Sequence, residues 1–163
     1  MARQGGFPCS KIPFEKIIGS EGGYVNDPQD PGGETKFGIS KRSYPTTDIA
    51  NLTLDQAKAI YQRDYWDKCS CSQLPSPLDL LVFDSAVNQG VSPACHMLQD
   101  AVGVVSDGVI GALTVSAAVH AGPRAAALFM ANRAMRYANT PEPQRTQYLH
   151  GWFNRLFLTS MGV

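Results

Sequence analysis

The chain has 163 residues, 44% hydrophobic and 17% charged, which describes one globular domain, or one with two lobes, and excludes a disordered chain. Fourteen basic and fourteen acidic residues cancel, so there is no basic footprint for nucleic acid and no strong pull toward an anionic surface. The N-terminal "MARQGGFPCSKIPFEKII" is positive but lacks a signal peptide's apolar core, and the most apolar stretch, "AAALFMA", is too short to span a bilayer; synthesis in the cytoplasm without stable membrane insertion is expected.

Ile12, Phe14, Ile17 and Ile18 recur at helical intervals, predicting a helix that "EGG" ends near Glu21. From Tyr24 to Tyr44 the Asp-Pro and Gly-Gly steps and "KFGISKRSY" predict turns with one or two short strands, a small hairpin. "TLDQAKAIYQRDYW" opens with Thr53 and Gln56 spaced as a capping box. "SPLDLLVFDSAVNQG" predicts a helix with Ser76 as N-cap, Pro77 at its first position and Gly90 as stop. "SPACHMLQDAVG" repeats the device with Ser92, Pro93 and Gly103. An Asp-Gly turn at Asp107 precedes another helix, a further one starts after Gly122, and "QRTQYLHGWFNRLFL" closes the chain. The expected fold class is mainly α with a small hairpin or Gly/Pro-rich loop beside the first helix.

The cysteines are Cys9, Cys69, Cys71 and Cys95, with no CxxC spacing. A zinc site joining the last three to His96 lacks the usual paired ligand spacing, so buried free thiols are the expectation, with no metal and no cofactor. His120 and His150 have no partner visible in sequence and read as core-edge or surface residues.

Acids cluster with glycines in "GSEGGYVNDPQDPGGETKFGIS". Glu21 falls at a predicted helix C-terminus, where the dipole and apolar neighbours raise a carboxyl pKa, as a general acid requires. An exposed helix-end glutamate fits the position equally well. Asp27 reads as a turn-maker, and Asp30 as either a turn residue or a second carboxylate facing Glu21. Two carboxyl groups flanking a glycosidic bond, with a hydroxyl such as that of Thr35 positioning water, make the set that glycoside hydrolysis uses.

The ordered run "EGGYVNDPQDPGGETKFGIS" resembles the signature of the glycoside hydrolase family 108 muramidases, phage endolysins and secretion-linked enzymes that cut peptidoglycan. The resemblance implies a lysozyme-like fold, Glu21 as catalytic acid, and Asp30 and Thr35 as its companions. The order Glu21, Asp30, Thr35 is also similar to the Glu–Asp–Thr set of phage-type lysozymes, with the Asp-to-Thr interval one residue shorter here. "FDSAVNQG" resembles a family helix with a cleft-lining asparagine, here Asn88. "LQDAVGVVSDGVIGALT" is similar to peptidoglycan-binding segments, and "GWFNR" to a C-terminal family element. Asp107 then reads as a turn residue or a glycan contact, Trp152 as a core plug or a sugar-stacking ring, and Tyr24 as a loop staple or a subsite wall. The resemblance also implies a catalytic lobe over 1–90 and a peptidoglycan-binding lobe over 91–163, packed as one unit. It implies cleavage between N-acetylmuramic acid and N-acetylglucosamine by a monomer that reaches the wall through a holin or a dedicated exporter. A lytic transglycosylase using the same Glu21, and a non-catalytic peptidoglycan-binding or virion structural protein, are the alternatives.

Overall fold

The computed structural model describes residues 23–26 and 33–161. They are mainly helical with one two-stranded antiparallel sheet, as the sequence implies. The chain divides into two compact units, Met1–Ile60 and Tyr61–Val163. The helix expected over 12–21 lies outside the described residues.

In the first unit, β1 (Thr35–Lys36) pairs with β2 (Ile39–Ser40) in the register Thr35 to Ser40 and Lys36 to Ile39. The two-residue connection has φ +51° at Phe37 and +76° at Gly38. Positive φ at both positions matches the right-handed twist of a tight hairpin, and glycine adopts it without strain. Lys36 spans the turn, its ammonium 5.6 Å from the Phe37 ring centre and donating to the Ala50 carbonyl at 2.8 Å. Ile39, Ile49 and Leu52 are buried. The helix α1 (Leu54–Tyr61) begins with the expected capping box: the Thr53 amide donates to Gln56 Oε1 at 2.9 Å, and the Gln56 amide to Thr53 Oγ1 at 3.3 Å. Two amides with no intrahelical acceptor are thereby satisfied by side chains.

The second unit follows α1 through a π-helical turn (Gln62–Trp66) and a 3-10 turn (Cys71–Gln73). Five helices complete it: α2 (Leu78–Gln89), α3 (Val91–Val102), α4 (Ala112–Ala121), α5 (Pro123–Ala138) and α6 (Gln144–Met161). The α2 helix is the centre. It packs on α3, α5, α6 and both short turns, and every residue from Leu81 to Ala86 is buried. A helix so enclosed needs no polar stripe, which is why "LLVF" reads as a continuous apolar run. Phe83 sits edge-on to Trp66, ring centres 5.4 Å apart, and to Tyr61 at 6.5 Å. Each such buried side chain contributes about 1.5–3 kcal/mol of apolar transfer.

Two helix starts differ from the sequence reading. Pro77 occupies the cap position of α2 and the helix begins at Leu78, with no side-chain cap from Ser76. Gly90, at φ +97°, ends α2 and is also the cap of α3. The α3 helix therefore starts at Val91, and Ser92 lies inside its first turn. One glycine in a backbone conformation closed to other residues does the work assigned to the serine. Gly103 (φ +72°) ends α3 and α5 starts after Gly122, both as expected, with Pro123 at its first position.

Candidate active site

Of the expected catalytic set, Glu21 and Asp30 lie outside the described residues, as does Asp27. Thr35 lies on β1. The Val25 and Thr35 amides each donate to the other's carbonyl at 2.8 Å, so Val25 and Thr35 form an antiparallel bridge. The bridge pairs Val25 directly with the first residue of the hairpin.

A second clasp lies beside the bridge. The Tyr24 phenol donates to Glu34 Oε1 at 3.0 Å. Desolvation first, then the bond and the charge of Glu34, push the Tyr24 phenol above its ordinary value, so it stays protonated as a donor. Tyr24 remains 43% exposed, leaving ring surface available to a ligand. The half-buried Thr35 hydroxyl donates to the Gly33 carbonyl at 3.2 Å. That bond orients Oγ1 and leaves its lone pairs to accept from water.

The remaining candidates lie in the second unit. Asn88 is exposed on the last turn of α2. Asp107 is exposed in the loop after α3, and its Oδ1 accepts from Gln99 Nε2 at 2.6 Å and from the Val109 amide at 2.9 Å. The Gln99 hydrogen bond and then the Val109 amide hold its carboxyl below the usual aspartate range. Trp152, half-buried on α6, stacks on the buried Tyr137 of α5 with ring centres 5.2 Å apart and planes 15° from parallel, and leans on Tyr148 at 5.8 Å. Asp107 and Trp152 are thus engaged with different neighbours, Asp107 with a loop and Trp152 with a helix pair.

The motif segments contain two polar devices that sequence reading passed over. Gln99 is 1% exposed and binds the 103–111 loop from beneath. Its Nε2 donates to Asp107 and to the Val109 carbonyl at 3.0 Å, and its Oε1 accepts from the Gly108 amide at 2.8 Å. The "LQ" and "DG" of one motif are therefore two ends of one clasp.

The other device is a buried charge cluster. Asp84 of α2 is 2% exposed and Arg133 of α5 is 0% exposed. Asp84 Oδ2 ion-pairs with Arg133 Nη1 at 2.6 Å, and Oδ1 accepts from Arg155 Nη2 at 2.6 Å and Nε at 3.2 Å. The Arg133 Nη1 contact is an ion pair without hydrogen-bond geometry, and Nε has no hydrogen-bond partner among the described residues. Arg133 Nη2 donates to the Tyr137 hydroxyl at 3.2 Å, which links the cluster to the ring that Trp152 covers. The segments "FDSAVNQG" and "GWFNR" meet through Asp84 and Arg155. An acid inside an apolar helical run was the visible signal, since a buried carboxylate needs a partner.

Among the described residues no group of three His, Cys, Asp or Glu side chains is arranged to hold a metal ion, and no helix is long and apolar enough to cross a membrane.

Residues 14–90 match the family model described as glycosyl hydrolase 108, and residues 93–157 match one described as "Predicted Peptidoglycan domain". The structure of SagA from Brucella abortus is similar with a TM-score of 0.78 at 30% sequence identity, covering 90% of this chain and 88% of that one. No curated protein gives a match. Fold and motifs define a lysozyme-like glycoside hydrolase, and the chain belongs to the glycosyl hydrolase 108 family. The two family matches together support a peptidoglycan hydrolase.

Proposed function

We propose that the protein is an N-acetylmuramidase that hydrolyses the β-1,4 bond between N-acetylmuramic acid and N-acetylglucosamine. The observation that carries this reading is the glycosyl hydrolase 108 match over residues 14–90, which takes in Glu21, Asp30 and Thr35 together. Glu21 donates its proton to the bridging oxygen as the bond to the sugar's anomeric carbon breaks. Asp30, with the Thr35 hydroxyl, orients the attacking water or stabilises the positive charge developing on the ring. The Val25–Thr35 bridge and the Tyr24–Glu34 hydrogen bond support this role by holding Thr35 and its neighbours in a fixed hairpin. A Thr35 hydroxyl held in place before substrate arrives lowers the cost of positioning water.

The proposal assigns catalysis to 1–90 and glycan holding to 91–163. Tyr24 and Asn88 offer exposed polar groups to the sugar chain, and Asp107 and Trp152 contribute from positions fixed by Gln99 and Tyr137. In biological terms we assign an endolysin of phage host lysis, a cytoplasmically made monomer released to the wall through a holin or a dedicated exporter.

The test is a digest of purified peptidoglycan by wild type and Glu21→Gln, read by mass spectrometry. Muropeptides with reducing muramic acid ends from wild type, and none from the variant, are expected. Anhydro-muramic ends would make the enzyme a lytic transglycosylase. Wall binding with no product from wild type would leave a binding protein.

A further inference from the structure

Three cysteines meet in the second unit, and none of them has a part in the activity proposed above. Cys69 follows the π-helical turn, Cys71 opens the 3-10 turn, and Cys95 lies on α3. All three are fully buried, and none is in a disulfide. Cys95 Sγ and Cys69 Sγ are 3.9 Å apart. A disulfide has its sulfurs about 2.05 Å apart, so closure asks for an approach of about 1.9 Å. Small side-chain rotations supply that where two sulfurs already touch.

Cys71 also contacts Cys69, but it is the poorer partner. The intervening Ser70 is held in the left-handed conformation, φ 48° and ψ 33°. A bond within Cys-x-Cys would have to close a very small ring on that backbone.

We propose that Cys69 and Cys95 are a disulfide-forming site, oxidised when the protein meets a disulfide-bonded oxidant and reduced otherwise, with Cys71 remaining a thiol. The thiolate of one cysteine attacks the oxidant's S–S bond, forming a mixed disulfide and expelling one oxidant thiolate. The second cysteine's thiolate then attacks the protein sulfur of that mixed disulfide and expels the other. The protein loses two electrons and two protons, and the oxidant leaves as two thiols. In the closed protein both thiols are held protonated: the Cys71 contact, above other causes, raises Cys69 to about 12, and the Cys69 contact raises Cys95 well above its ordinary value. Attack therefore belongs to the folding chain or to an opened form, and folding selects the pair by bringing α3 against the turn. The bond ties that turn to α3, so passage from a reducing to an oxidising compartment stiffens the second unit.

The experiment uses the full chain. Reduced, unfolded protein is refolded in a mixture of oxidised and reduced glutathione, blocked with an alkylating reagent, and mapped by peptide mass spectrometry. Loss of two of the four thiols, a Cys69–Cys95 linked peptide, and a thermal midpoint raised by about 5 °C or more that reductant reverses are expected. Four alkylated thiols would overturn the proposal, as would a dominant Cys69–Cys71 link or a link through Cys9. Should refolding fail, the native protein is exposed to oxidised glutathione in sub-denaturing urea and mapped in the same way. An unchanged thiol count there also overturns it.

Discussion

Asp84 faces two guanidinium groups with one carboxylate, and the pairing has different consequences for its partners. Arg155 is 37% exposed at its side chain and keeps contact with water, whereas Arg133 is 0% exposed and depends on Asp84 and Tyr137. Replacing Asp84 by asparagine leaves a buried guanidinium without a counter-charge. Breaking a buried pair by removing one partner costs about 3–5 kcal/mol, so Asp84→Asn should lower the urea midpoint by that equivalent with the slope unchanged. A loss well under about 1 kcal/mol would mean that hydrogen bonding alone satisfies Arg133. Asp107 makes a different prediction, in pH. Its folded value is depressed, so it contributes stability at pH above its unfolded value and loses it as pH falls through the folded one. Protection of the Gly108 and Val109 amides, taken relative to their intrinsic exchange rates, should fall on acidification, beginning near the ordinary aspartate value. Asp107→Asn should remove that pH dependence, and an unchanged acid response in the variant would assign it to another carboxylate.

At the scale of elements, local chemistry was legible wherever the partners are near in sequence. The capping box at Thr53 and Gln56, the stop at Gly103 and the helix start after Gly122 were read correctly because each is set within one helical turn. The hairpin was legible in "KFGIS" for the same reason. The start of α3 was misplaced because Gly90 serves two helices, and its φ is fixed by how α2 and α3 pack, not by its neighbours in sequence. The 103–111 loop combines both kinds of information. Its Asp-Gly turn is visible in sequence, but the Gln99 clasp beneath it is not. A Cβ built on Gly108 would stand 3.0 Å from His96 Nε2 on a backbone with φ +81°. Gly108→Ala should therefore destabilise by roughly 1–2 kcal/mol from the left-handed conformation alone. The check is a thermal melt together with amide exchange at Val109. A neutral result would show that the loop relaxes without cost.

For the whole molecule, zero net charge sets how the enzyme meets an anionic wall. Binding by long-range attraction is screened by salt, whereas recognition by local hydrogen bonds and stacking is much less so. Wall-degrading activity should change little between low and moderate salt, and a steep loss would show that a local basic patch governs binding. The amino-acid sequence by itself determined the helical architecture, the hairpin and the family signature, and it supplied Glu21, Asp30 and Thr35 as the candidate set for the proposed chemistry. The helices and the hairpin rest on spacing within one turn, where periodicity suffices, and the family and its candidate set rest on the resemblance of an ordered motif. Only the tertiary structure decided that Asp84 and Arg155, 71 positions apart, join in one ion pair. It also decided that Gln99 holds the Asp107 loop, that Trp152 rests on Tyr137, and that Cys69 touches Cys95. Each of those contacts depends on the path of the backbone between distant residues, which the packing of α2 against its neighbours fixes and no local pattern encodes.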